Sequence, residues 1–149
     1  KKFPDPSYLQ NAHERLTSLG ASNGLKFDFE AIEKSPNTLD AHRLIQWAGE
    51  IGKQDEIVNA LFKAYFEEGR DIGDHAVLIE IASAHGFEKS DIERKLAGDD
   101  DINSVRAEIE EAQRIGISGV PFFIFNRKLA ASGAQPPDQL LAAIKQAQA

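Results

Sequence analysis

The residues able to do chemistry are few, and their spacing narrows what they can do. Asp99, Asp101, Asn103 and Glu110 fall on positions 1, 3, 5 and 12 of a calcium-loop template. Position 6 of that template needs glycine for its sharp turn, and Ser104 stands there. The same stretch has helical periodicity, so it reads as an acidic helix start that suits the helix dipole. His13, His42, His75 and His85 show neither His-x-x-x-His nor His-Glu-x-x-His spacing, so no zinc site is indicated. There is no cysteine, which excludes a disulfide, a thiolate metal site and a thiolate nucleophile from these residues. No glycine-rich phosphate loop occurs. The remaining candidates act by binding. Asn37 stands just before a helix, where it could contact a ligand or serve, with Thr38, as an N-cap. His42 and Arg43 form a polar pair on a helix whose other face is apolar, usually a structural or solvated arrangement. Val120-Pro121 follows Gly119 at the start of an apolar run, where a proline can simply begin a strand.

The elements that must position these residues are mostly helices closed by glycine. Asp5-Pro6 offers an N-cap and a proline at the first helical position. Leu9, Ala12, Leu16 and Leu19 then share one face ahead of Gly20. Leu25 to Phe29 alternates like a short strand. A helix bearing Leu44, Ile45, Trp47, Ala48 and Ile51 ends at Gly52, and one from Gln54 to Glu68 stops at Gly69. Asp74 caps a helix ending at Gly86, and Ser90 caps a shorter one running to Gly98. A last helix, from about Asp101 to Ile115, turns Ile102, Val105, Ile109 and Ala112 inward. Trp47, Phe62, Tyr65 and Phe66 read as core. Apolar stripes of this kind predict helices that pack on one another.

After Gly116 the pattern changes. Phe122 to Phe125 is a short apolar strand, Asn126-Arg127-Lys128 turns, and Leu129 to Ser132 returns. Gly133 to Asp138 breaks the strand, and Asp138 caps a final helix with Leu140, Leu141 and Ile144. The chain therefore divides into a helical part, residues 1–115, and a ββα tail, residues 116–149, with the helix at about 101–115 spanning both. An isolated two-stranded hairpin is marginal in water. Phe122 to Phe125 thus implies further strands, from the parent protein or a partner chain.

Composition sets the outer limits. The 149 residues are 42% hydrophobic and carry a net charge of −7, which argues against broad binding to nucleic acid or anionic membrane. No apolar run approaches the ~20 residues of a membrane span, and no charged-then-apolar pattern of a signal peptide is visible at Lys1 and after. The absence of cysteine suits a reducing compartment, so a cytoplasmic location is expected. The first residue is Lys1, not Met, as expected of a segment that begins inside a longer protein.

Gly116-Ile117-Ser118-Gly119-Val120-Pro121-Phe122-Phe123, followed by Ser132-Gly133-Ala134-Gln135, is similar to the C-terminal half of the thioredoxin-like DsbA family, and most of all to its FrnE-like branch. Pro36-Asn37-Thr38-Leu39-Asp40-Ala41-His42-Arg43-Leu44 and Tyr65-Phe66-Glu67-Glu68-Gly69-Arg70-Asp71-Ile72-Gly73-Asp74 resemble that branch's inserted helical domain. Kappa-class glutathione transferases and 2-hydroxychromene-2-carboxylate isomerases share the helical motifs, while Ser132-Gly133-Ala134-Gln135 favours the FrnE-like branch.

The resemblance implies an α/β, thioredoxin-like fold with a helical insertion, here without the first βαβ and its Cys-x-x-Cys. It implies a thiol–disulfide oxidoreductase whose redox cysteines are absent from this chain. Pro121 would be the cis-proline, turning the backbone of Val120 toward a thiol- or disulfide-bearing peptide or glutathione. Gly119, Val120, Pro121, Ala134, Gln135 and Asn37 are the implied substrate contacts. No cofactor and no metal are expected, with glutathione as a co-substrate, and the partners are a homodimer mate or the missing N-terminal segment. Ala134-Gln135 replaces the Ser-Asp with which the kappa-type relatives hold glutathione. Two other readings stay open: a kappa-type glutathione transferase or isomerase, and a helical binding module without catalysis.

Overall fold

The computed structural model describes the backbone of residues 6–148 and the side chains from Gln10 to Gln148. Six helices come first: α1 (Pro6–Ser22), α2 (Leu39–Glu50), α3 (Gln54–Phe66), α4 (His75–Ala84), α5 (Lys89–Ala97) and α6 (Ile102–Arg114). They are followed by strands β1 (Phe122–Phe125) and β2 (Leu129–Ser132) and by α7 (Pro137–Gln148). The chain forms two compact units that divide between Val105 and Arg106, inside α6, whereas the sequence pattern changes at Gly116. The proposed cap at Asp5 lies outside the described residues.

The helical unit has an apolar core. Leu44, Trp47 and Ala48 of α2 meet Ile57 and Leu61 of α3, Leu78 and Ala82 of α4, and Ile92 and Leu96 of α5. These residues recur three or four apart, the spacing that lets a helix bury one stripe. Asp74 caps α4 as its sequence predicts, its carboxylate accepting the Ala76 N–H at 2.9 Å.

One charged side chain is as buried as the core. Arg43 is 1% exposed. Its guanidinium donates to the carbonyls of Lys95 (2.6 Å), Gly98 (2.9 Å) and Asp100 (2.7 Å) and to the Asp40 carboxylate (2.8 Å). The last carbonyls of a helix have no partner within it; Arg43 supplies that partner to the end of α5 and fixes the α5–α6 turn on α2. One helical turn on, the Trp47 indole N–H donates to the Asp101 carboxylate at 2.7 Å. Asp101, a member of the calcium-loop pattern, is thus engaged in packing.

Several expectations are corrected. Leu25 to Phe29 is not a strand: the Asp28 N–H donates to the Phe66 carbonyl (2.8 Å) and the Lys26 N–H to the Glu67 carboxylate (3.2 Å), which pins an irregular segment to the end of α3. Gly20 does not end α1. A Cβ there would lie 2.7 Å from the Phe27 ring, so the glycine admits that ring against the helix. Ser90 lies inside α5, whose cap position is Glu88, and Asp138 lies in the first turn of α7, where its charge favours the helix start. Phe62 is 58% exposed rather than core, because α3 turns Ile57, Leu61 and Ala64 inward instead. Leu16 and Leu19 of α1 are exposed as well. On α6 only Val105 is buried; Ile109 is open to solvent.

In the tail unit, β1 and β2 run antiparallel, with Phe122 opposite Ser132 and Phe125 opposite Leu129. Asn126 and Arg127 take φ values of 53° and 55°. The Lys128 N–H donates to the Phe125 carbonyl at 2.9 Å, closing a turn of the mirror-image type that matches strand twist. Phe123, Phe125, Leu129 and Ala131 share the half-buried face of the ribbon, and α7 packs against both strands. The Asn126 amide donates to the Ala147 carbonyl at 3.1 Å, tying the turn to the end of α7.

Candidate functional site

The predicted contacts on the tail gather at one end of the hairpin. Gly119 and Val120 lead into β1, and the Val120–Pro121 peptide bond is cis. The Pro121 carbonyl accepts the Gly133 N–H at 2.8 Å. This bond brings the loop before β1 beside the loop after β2, so that Val120-Pro121 and Ala134-Gln135 are neighbours. Their side chains differ in what they offer. Val120 is 89% exposed, high for an aliphatic group, and a Cβ added to Gly119 would meet nothing within 4 Å. Gln135 folds back, its amide donating to the Ser132 carbonyl at 2.8 Å; it shapes the strand-to-helix turn, while Ala134 is exposed.

Among the described residues each strand pairs on one side only, leaving N–H and C=O groups that an extended chain can meet. Residues 106–149 contain neither histidine nor cysteine, so they hold neither an imidazole base nor a thiol nucleophile.

Asn37 belongs to the helical unit. Its side-chain amide oxygen accepts the Leu39 N–H at 3.1 Å, which makes it a cap for α2. Thr38, at the formal cap position, makes no such bond with its side chain. Behind it, the backbone of Gly73 comes so close that a Cβ would lie 3.0 Å from the Asn37 carbonyl oxygen. Asp71 accepts the Gly73 N–H (2.9 Å) and meets Lys34 Nζ at 2.7 Å. The hydrogen bond from Lys34 holds the Asp71 carboxyl below its usual range, and Asp71 in turn raises the Lys34 ammonium. His42 is exposed, with Nδ1 donating to the Thr38 carbonyl at 2.7 Å.

Two features escaped sequence reasoning. Asp40 accepts from both Arg43 and His75, the latter at 2.9 Å, although His75 lies a helix and a loop away in sequence. Leu25, Phe27, Phe62 and Phe66 line an open apolar trough beside Asn59, Lys63 and Glu67; only the failure of Phe62 to fit the buried stripe of α3 could have signalled it. Among the described residues no cluster of three His, Cys, Asp or Glu side chains is arranged to hold a metal ion, and no helix is long and apolar enough to cross a membrane.

Comparison with known proteins places these elements in a family context. The profile of a DSBA-like thioredoxin domain matches residues 2–145. The crystal structure of a probable DsbA oxidoreductase from Streptomyces coelicolor superposes with a TM-score of 0.85 at 29% identity, covering 97% of this chain and 62% of that one. The uncharacterized protein YwbO of Bacillus subtilis is 27% identical over 124 residues, 80% of this chain and 60% of the relative. The chain thus spans about three-fifths of the length of the relatives it matches. Its mostly helical body and ββα tail are those of an α/β, thioredoxin-like fold with a helical insertion.

Proposed function

This chain belongs to the DSBA-like thioredoxin domain family, and on that premise we propose that it is the substrate-contacting part of a FrnE-like thiol–disulfide oxidoreductase. The reaction needs a thiolate to attack a substrate sulfur and a second thiol to resolve the mixed disulfide. Neither sulfur is among these 149 residues, so both come from polypeptide beyond them, which also supplies the strands that the hairpin edges call for.

The observation that carries the reading is Val120, held open at the head of a strand with an unpaired edge. An extended peptide bearing a thiol or disulfide can align its main chain there. Glutathione, a tripeptide thiol, is the small co-substrate that the same groups accept. Ala134 stands beside this edge. The Asn37 amide, its oxygen engaged by Leu39, keeps two N–H donors for a carbonyl. The trough of Leu25, Phe27, Phe62 and Phe66 suits the apolar side chains of a non-native protein substrate. Ser132-Gly133-Ala134-Gln135 supports the FrnE-like branch.

A disulfide-exchange assay on the full-length protein, with and without Val120→Arg, tests this. The substitution puts a long cation on the binding edge and is expected to raise KM about tenfold with kcat little changed. An unchanged KM removes the site. Glutathione conjugation without disulfide exchange reassigns the protein to the kappa-type enzymes.

A further inference from the structure

We infer that the tip of the β1–β2 hairpin is a docking point for an acidic peptide segment of a partner protein. It is separate from the Val120 end, since β1 spans four residues and each rises roughly 3.3 Å. The first indication is conformational. Arg127 sits at φ 55°, in the left-handed region where a side chain is strained, and at the second centre of this turn type glycine is the favoured residue. Asn126, at φ 53°, is one of the few side chains that tolerates the region; arginine is not. Glycine would meet no such strain there, so Arg127 is held at a conformational cost.

The second indication is electrostatic. In the helical unit Lys34, Lys53, Lys63, Arg70 and Arg94 each face a carboxylate within 4.0 Å, while Arg15, Lys26 and Lys95 have no ion-pair partner among the described residues. Arg127 and Lys128 are exposed and have no such partner among the described residues. Lys145 lies in the last turn of α7, the helix whose Ala147 carbonyl anchors the turn through Asn126. Residues 106–149 hold five Lys and Arg against four Asp and Glu, whereas residues 1–105 hold twelve against twenty. The tip is therefore a local cationic point on a chain of net charge −7.

That contrast selects the ligand. A long polyanion such as duplex DNA meets the repulsive field of the whole chain and needs many cations. A short acidic segment lies within about one Debye length of the tip, roughly 8–10 Å, and responds to the local charge alone. Carboxylates also fit the guanidinium in paired hydrogen bonds.

The test is fluorescence anisotropy of a labelled hexaglutamate peptide with the full chain at low and physiological salt. Binding is expected to weaken with salt, and Arg127→Gln with Lys128→Gln to weaken it about fivefold or more. Arg15→Gln with Lys26→Gln, the same charge change in the helical unit, should leave it unaltered. Arg127→Gly separates ligand from fold: it should hold or raise Tm while weakening the peptide. The inference is overturned by absence of binding, by equal losses in both double variants, or by a fall in Tm with binding intact in Arg127→Gly. It is also overturned if phosphatidylserine vesicles or duplex DNA bind through these residues where the peptide does not, or if the double variant abolishes self-association instead.

Discussion

The helical unit and the ββα tail solve the same problem with opposite results. Among the described residues every buried apolar side chain except Ala147 lies before Arg106, while Val120, Ile124, Leu141 and Ile144 of the tail stay open. Helices satisfy their backbone internally, so a bundle of them closes once its stripes meet and its ends find partners. Arg43 provides such a partner for α5. A two-stranded ribbon has unpaired edges whatever packs on its face. One region is thus closed as a folded body, and the other keeps unpaired strand edges among the described residues. The two binding sites proposed for the tail sit at the two ends of that ribbon.

This contrast can be broken most directly at Arg43. Arg43→Met removes the donor from three carbonyls and a carboxylate in a buried setting, and should cost about 3–5 kcal/mol, measured as a fall in the urea midpoint at constant slope. A loss below about 1 kcal/mol would mean that the helical unit is not organised around this anchor. The two regions can then be compared with matched deletions. Leu78→Ala, in the helical core, should cost about 2–5 kcal/mol, whereas Leu141→Ala, exposed on α7, should change stability by under about 1 kcal/mol. Equal costs would erase the distinction between a closed and an open region.

Smaller effects sharpen the picture at the ends of α2. Asn37→Ala removes the cap bond to Leu39 and should cost about 1 kcal/mol in thermal unfolding. Its effect on substrate KM in the full-length protein would show separately whether the amide N–H groups contact substrate. Asp40 gives the smallest and most specific signal. Burial pushes its carboxyl up, but the hydrogen bonds and charges of Arg43 and His75 outweigh that and hold it below the ordinary value. A carboxyl depressed by folding contributes stability that is present above its unfolded pKa, near 3.8, and lost as pH falls through the lower, folded value. Stability should therefore fall below about pH 4 in the native chain and by a smaller amount in Asp40→Asn, as followed by unfolding midpoints from pH 6 to 2.

Helices α1 to α7 and the hairpin were legible because their signals are local. Asp74 as a cap, the apolar spacing of α2 and α4, and Asn126 at a tight turn act within a few residues. The failures are non-local. Leu25 to Phe29 alternates like a strand but has no neighbouring strand, and its N–H groups go to the end of α3. Phe62 has the composition of a core residue and the wrong angular position on α3. Arg43 read as solvated or structural, and no pattern in its own helix could show that its partners would be carbonyls more than fifty residues away. Of the candidate contacts, Val120 and Ala134 stand open, while Gln135 and the Asn37 oxygen are taken up by local turns.

By itself the sequence determined the order of the elements, the lack of any thiol, and the motifs that mark the family, because propensity, capping and composition are properties of short stretches of chain. Only the tertiary structure decided which polar groups are consumed inside and which remain available. That outcome depends on which distant carbonyl or carboxylate arrives within hydrogen-bond reach, and such an arrival is fixed by packing rather than by neighbours along the chain.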